Sequence, residues 1–234
     1  DPLIQMDWAT LAKSYTIDTK KYHDFFVVTV SRTFYYMGIS AQTFFLYFVH
    51  DVINVKDDPA SAVALLAIMS QCVGALTCYP AGLASDNLWG GRRKPFVYLS
   101  CFLLGFATFG LVFCTDMRQM TILCMVLGGA NGMYLTMDTS LAVDTLPTGQ
   151  GEGESGSAQL LGVWGVAGFV GSALGPMIGG PLLYLFGDQG KIAPDGSAEY
   201  SLRGYIVVLS LSAFYFFCSA LVLRRIGTPP VDAA

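Results

Sequence analysis

The chain has 234 residues, of which 53% are hydrophobic and only 13% charged, and its mean hydropathy is +0.53. Soluble domains carry about 25% charged residues, so this composition excludes an ordinary water-facing globule and points to side chains that face lipid. The formal charge of −4 is small and identifies no charged partner; no nucleic-acid partner is expected.

The chain opens on Asp1, and no signal peptide precedes the first apolar run, which reads as a processed chain or a piece of a longer one. Residues 1–22 are mixed in polarity and are expected in cytoplasmic water or at the headgroups. Six apolar runs follow, each long enough, or nearly so, for a helix to cross about 30 Å of hydrocarbon. They cover 25–50, 60–84, 96–114, 120–143, 157–186 and 205–223. The expected fold is an all-α, multi-pass membrane protein: a six-helix transmembrane bundle over 23–225 and a cytoplasmic tail over 226–234. The longest loop, GDQGKIAPDGSAEYSLR, separates runs five and six.

Orientation follows from where Lys and Arg gather. Lys20 and Lys21 precede run one, Arg92, Arg93 and Lys94 lie between runs two and three, and Arg224 and Arg225 follow run six. Alternate crossing puts all three groups on one side, so both termini are expected in the cytoplasm. The six cysteines fall inside apolar runs without disulfide or metal-ligand spacing, and read as core packing.

Ionisable groups at membrane depth are costly, so their placement is informative. On run one, Arg32, Tyr36, Ser40, Thr43, Tyr47 and His50 share an arc of about 80° at helical spacing. On run four, Asn131, Tyr134 and Asp138 fall within about 60° of one another. Arg32 and Asp138 each lie about two turns from the cytoplasmic ends of their runs, at similar depth and with opposite charge. An ion pair, direct or through water, lowers the cost of burying both. Two readings stand: a static pair that fixes helix packing, or a charged site facing an aqueous cavity, which two stripes favour. His50 sits beside Asp51 at the outer boundary and reads as a solvated interfacial histidine.

Run five is rich in glycine, with Gly162, Gly165, Gly168, Gly171, Gly175 and Gly179 recurring at three or four residues. Such a ridge allows close approach of another helix, and Pro176 removes a backbone hydrogen bond and favours a bend.

Two of these patterns resemble signatures of the major facilitator superfamily of secondary transporters. Gly82, Asp86, Gly90 or Gly91, Arg92, Arg93 and Lys94 are similar to its loop motif between the second and third helices, with Asn87 at a usually basic position and an insertion around Trp89. Gly162, Gly171, Gly175, Pro176, Gly179 and Gly180 match the spacings of its Gly/Pro motif on the fifth helix. The stretches around runs one and four resemble the second half of a sugar-symporter-like branch. The resemblance spans about Tyr22 to Leu223 and implies one six-helix half, a 3+3 repeat, of a twelve-helix fold. It implies a second half, or a partner membrane chain, to complete it.

The same resemblance implies a secondary active transporter that moves a small polar solute, a sugar or an organic anion, by alternating access. Arg32, Tyr36, Thr43, Tyr47, Asn131, Tyr134 and Asp138 would line the solute or proton path, with proton coupling through Asp138 as an extension. Gly82, Asp86, Gly91, Arg92 and Arg93 would form a cytoplasmic gate, with Asp144 as the partner of the arginines. Symport and antiport both stay open. The alternative is a transporter-derived membrane scaffold or accessory subunit of a larger complex, without transport activity. No nucleophile–base pair, metal cluster or phosphate-binding glycine loop is evident, so neither an enzyme nor a cofactor is expected.

Overall fold

The computed structural model describes residues 19, 21–88, 92–146, 154–188, 191–192 and 198–226. Most of the expected N-terminal segment, Gly91 and the tail from 227 onward lie outside these residues. Within them the chain forms seven α-helices: α1 (His23–Ile39), α2 (Phe45–Asp51), α3 (Pro59–Leu88), α4 (Lys94–Gly110), α5 (Met117–Asp144), α6 (Glu154–Phe186) and α7 (Leu202–Val222). In the loop before α7, a two-residue antiparallel ladder pairs β1 (Lys191–Ile192) with β2 (Ala198–Glu199). Helices predominate because a backbone in hydrocarbon must satisfy its own N–H and C=O groups.

The helices containing runs two to six are each long and apolar enough to cross a membrane. The first run departs from the expected uninterrupted span. It breaks into α1 and α2, joined by a 3-10 segment over Ser40–Phe44. Competition for backbone carbonyls accounts for the break: Ser40 folds its hydroxyl back to the Met37 carbonyl at 2.7 Å, while Ser212 of α7 donates to the Gly38 carbonyl at 2.6 Å. Side-chain donors of this kind compete with the regular i→i+4 ladder and tighten or bend a helix.

Two helix starts are capped in the loops. Asp58 accepts the Ser61 N–H at 3.0 Å, with Pro59 opening α3, and Asp116 accepts the Gln119 N–H at 2.8 Å at the start of α5. Each aspartate satisfies a backbone donor that the first helical turn leaves unpaired. The Ser61 bonds hold the Asp58 carboxyl below its ordinary range.

Packing runs from neighbour to neighbour: α3 lies on α5, α5 on α4, α4 on α7, α7 on α1, and α1 on α6. Between lipid-exposed helices apolar burial supplies little driving force, so close backbone approach matters more. The tightest approach joins α3 to α5. A Cβ placed on Gly128 or Gly132 would strike the Ser70 or Gly74 carbonyl, and one on Gly74 would lie 2.9 Å from the Gly128 oxygen. The core centres on Leu104, Leu111, Met120, Met137 and Phe216. By contrast α3 and α6 leave most of their apolar side chains outside, among them Leu76, Tyr79, Phe169 and Met177. They are the helices most exposed to lipid.

Candidate functional site

Helical spacing brings Arg32 of α1 and Asp138 of α5 to one level, and the structure joins them. Arg32 Nη1 donates directly to Asp138 Oδ2, and the two side chains are 10% and 2% exposed. The remaining faces of the guanidinium are closed by aromatic groups. Arg32 Nη2 donates to the Tyr36 hydroxyl at 3.1 Å, and the guanidinium carbon sits 3.5 Å from the centre of the Trp164 ring on α6. A cation over a ring face gains electrostatic attraction that grows when water is excluded. Arg32 Nε and Trp164 Nε1 are buried without hydrogen-bond partners.

Asp138 is also approached by the Tyr134 hydroxyl at 3.5 Å, a long contact. Tyr134 stacks on Tyr35 with ring centres 3.6 Å apart and planes within 6°, and the Tyr35 hydroxyl donates to Asn131 Oδ1. Arg32, Tyr36, Asn131, Tyr134 and Asp138 thus form one connected cluster. It is a closed aromatic sandwich around an ion pair, with little water-accessible surface on either charge. Two shallow crevices, each with room for about 10 Å³, lie elsewhere, along the 3-10 segment and α7, and neither is lined by Arg32 or Asp138.

The rest of the run-one stripe does not join this cluster. Ser40 faces α6 across Gly175, while Thr43 and Tyr47 are exposed further along. Tyr47 meets the edge of Tyr200 with ring centres 6.3 Å apart. The glycine ridge of α6 divides in two. Gly168, Gly171, Gly175 and Gly179 receive Tyr36, Thr33, Ser40 and Phe44, whereas Gly162, Gly165 and Gly180 have nothing within 4 Å of where a Cβ would stand. Pro176 lies inside α6, between the contacting Gly175 and Gly179.

At the helix ends, Arg93 Nε lies 2.8 Å from Asp144 Oδ2, the pairing expected from the basic loop. The Arg93 N–H is not aimed for a hydrogen bond, so the contact is one of charge. Lys94 Nζ donates to the Ile226 carbonyl at 2.8 Å, which brings the cationic loop against the end of the last helix. Asp86 and Arg92 are exposed, and Gly82 has open space around it. Gly91 lies outside the described residues.

The reading of His50 as a solvated interfacial side chain is corrected by the structure. Its ring is only 17% exposed, and the Asp51 carboxylate beside it is 1% exposed. One carboxylate oxygen lies 2.7 Å from His50 Nδ1. The other accepts from the Tyr205 hydroxyl at 2.5 Å and the Tyr200 N–H at 2.9 Å. Position at the end of an apolar run suggested water, but Tyr200 and Tyr205 close on the Asp51 carboxylate instead. Trp164 and Tyr35 were also missed, since single aromatics in an apolar run carry no positional signal of their own. Asp51 carried one, as an acid at the very edge of a span.

Residues 99–229, more than half of the chain, match the model of a family described as PUCC protein. No solved structure matches the chain. The family match overturns the resemblance to a major facilitator half and to its sugar-symporter-like branch, and with it the transport function. The misleading signatures have general physical causes. Glycines recur wherever membrane helices touch closely, and a basic loop marks the cytoplasmic side of many membrane proteins.

Proposed function

This chain belongs to the PUCC protein family, and from that membership we propose that it is a non-enzymatic membrane accessory factor in the assembly of pigment-bearing light-harvesting complexes. The family is associated with that process, and the match over 99–229 is the observation that carries the reading. The matched region includes Asp138, Asp144 and Trp164, so it contributes to both ion pairs described above.

The geometry supports an accessory role rather than solute passage. The intramembrane charges are spent on each other, sealed by Tyr36 and Trp164, and act as a joint between α1, α5 and α6. The exposed apolar faces of α3 and α6 suit lipid or the helices of a partner membrane chain. The cytoplasmic placement of both ends belongs to the same proposal, supported by the cations of the Arg92–Lys94 loop and of Arg224 and Arg225.

Deleting the gene in its own host tests the reading. Membranes of the deletion strain are expected to lose the absorption bands of assembled light-harvesting complexes, and the full chain supplied in trans is expected to restore them. Normal accumulation of those complexes without the chain would overturn the proposal.

A further inference from the structure

The His50–Asp51 pair has no role in the joint around Arg32, and its geometry is that of a prepared ligand. The buried Asp51 carboxylate is held by the Tyr205 hydroxyl and the Tyr200 N–H, so its position is set from the loop and from α7. An ionised carboxylate only accepts hydrogen bonds, so the proton shared at 2.7 Å with His50 rides on Nδ1. Of the two neutral tautomers this selects the one whose Nε2 carries a free lone pair. A carboxylate behind an imidazole in this way is the usual support of a metal-ligating histidine. No hydrogen bond to Nε2 is present among the described residues.

The surroundings narrow the metal. Among the described residues, no group of three or more His, Cys, Asp or Glu could hold an ion, so a bare cation bound by protein ligands alone does not fit. A metal that carries its own equatorial ligands does fit, because it needs one axial donor and a surface to lie on. Leu46 and Tyr47 precede His50 by four and three residues and therefore share its face of α2. They are 40% and 47% exposed. Together with His50 they form an exposed, apolar and partly aromatic ledge at the end of α2.

We propose that His50 Nε2 is the axial ligand of the central magnesium of a chlorophyll-type tetrapyrrole, whose macrocycle lies on the ledge of Leu46 and Tyr47. The inference rests on the assembly reading for the class of pigment and adds the site that would hold it. Asp51 is then a positioning residue: it orients the imidazole and holds the ring proton on Nδ1.

The test is absorption-monitored titration of the purified full chain in detergent with chlorophyll and with its magnesium-free counterpart. Wild-type chain is expected to bind the magnesium pigment with the band shift of axial ligation, and the metal-free pigment at least about tenfold more weakly. His50→Ala is expected to abolish the shift, with added imidazole restoring it. In Asp51→Asn the side-chain amide can donate to Nδ1 and move the ring proton to Nε2, so affinity should fall by about ten- to a hundredfold. Equal wild-type binding of the two pigments would overturn the inference whatever the variants do. So would an unchanged shift in His50→Ala. If light-harvesting complexes are lost on deletion but fully restored by the His50→Ala gene, the assembly reading stands and the ligand assignment falls. Normal complexes after deletion, with His50-dependent binding intact, would remove the assembly reading and leave the ligand assignment.

Discussion

Asp138 and Asp51 are both nearly sealed from solvent, with side chains 2% and 1% exposed, yet they are stabilised by opposite means. Asp138 sits well inside α5, where backbone N–H groups are already used by the helix. Its nearest neutral donor, the Tyr134 hydroxyl, is 3.5 Å away. Only a countercharge can offset its desolvation, so Arg32 is drawn in from α1 and must itself be covered by Tyr36 and Trp164. Asp51 stands at the last position of α2, beside a loop whose backbone still has donors to give. Tyr200 N–H, Tyr205 O–H and His50 N–H satisfy it without any cation of fixed charge. A mid-helix acid therefore ties two helices together, whereas a helix-end acid orients a neighbour and leaves that neighbour's outer nitrogen open.

The largest effect expected from this contrast is at Arg32. Arg32→Ala strands the Asp138 carboxylate in a dry site, and breaking a buried pair from one side costs about 3–5 kcal/mol. Unfolding in mixed detergent, followed by circular dichroism, would read this as a large drop in stability. The double change Arg32→Met with Asp138→Leu removes both charges and is expected to be near neutral, or stabilising by about 1–4 kcal/mol. If the double variant is as unstable as the single one, charge compensation is not what the cluster does.

A smaller loss is expected at the other acid. Asp51→Ala leaves the buried Tyr205 hydroxyl without its acceptor, a cost of about 1–3 kcal/mol. Adding Tyr205→Phe removes the stranded hydroxyl as well and should recover most of the loss, because deleting both partners of a hydrogen bond is nearly neutral. If the added Tyr205→Phe change recovers nothing, Asp51 acts mainly through His50 or the Tyr200 backbone.

What could be read from the sequence divides along the same physical line. Charges inside apolar runs are rare, so depth counting alone brought Arg32 to Asp138, and matching helix ends brought Arg93 to Asp144. Contacts that depend on uncharged groups far apart in the chain were not legible. The break after Ile39 needs Ser212 to reach the Gly38 carbonyl, and the burial of Asp51 needs the loop at Tyr200. Glycine spacing was ambiguous in a similar way. It singled out Gly162, which has nothing within 4 Å, and passed over Gly128 and Gly132, where α3 and α5 touch backbone to backbone. Short signatures built on such residues record what any packed membrane bundle needs, which is why they pointed to a family that the match over 99–229 does not support.

The Arg93–Asp144 pair separates partner type from burial. Arg93 and Asp144 are an arginine and an aspartate like Arg32 and Asp138, but their side chains are 29% and 46% exposed, and the Arg93 N–H is not aimed along the contact. Water already stabilises both charges, and holding two flexible side chains together offsets part of the attraction. Exposed pairs of this kind contribute about 0.2–1 kcal/mol. At 0.1 M salt the screening length is about 10 Å and shrinks to about 3 Å at 1 M. Arg93→Gln is therefore expected to produce a small loss of stability that disappears as salt is raised, while the loss in Arg32→Ala persists. A salt-independent loss at Arg93 as large as that at Arg32 would show that pairing alone, without burial, sets the strength of these joints.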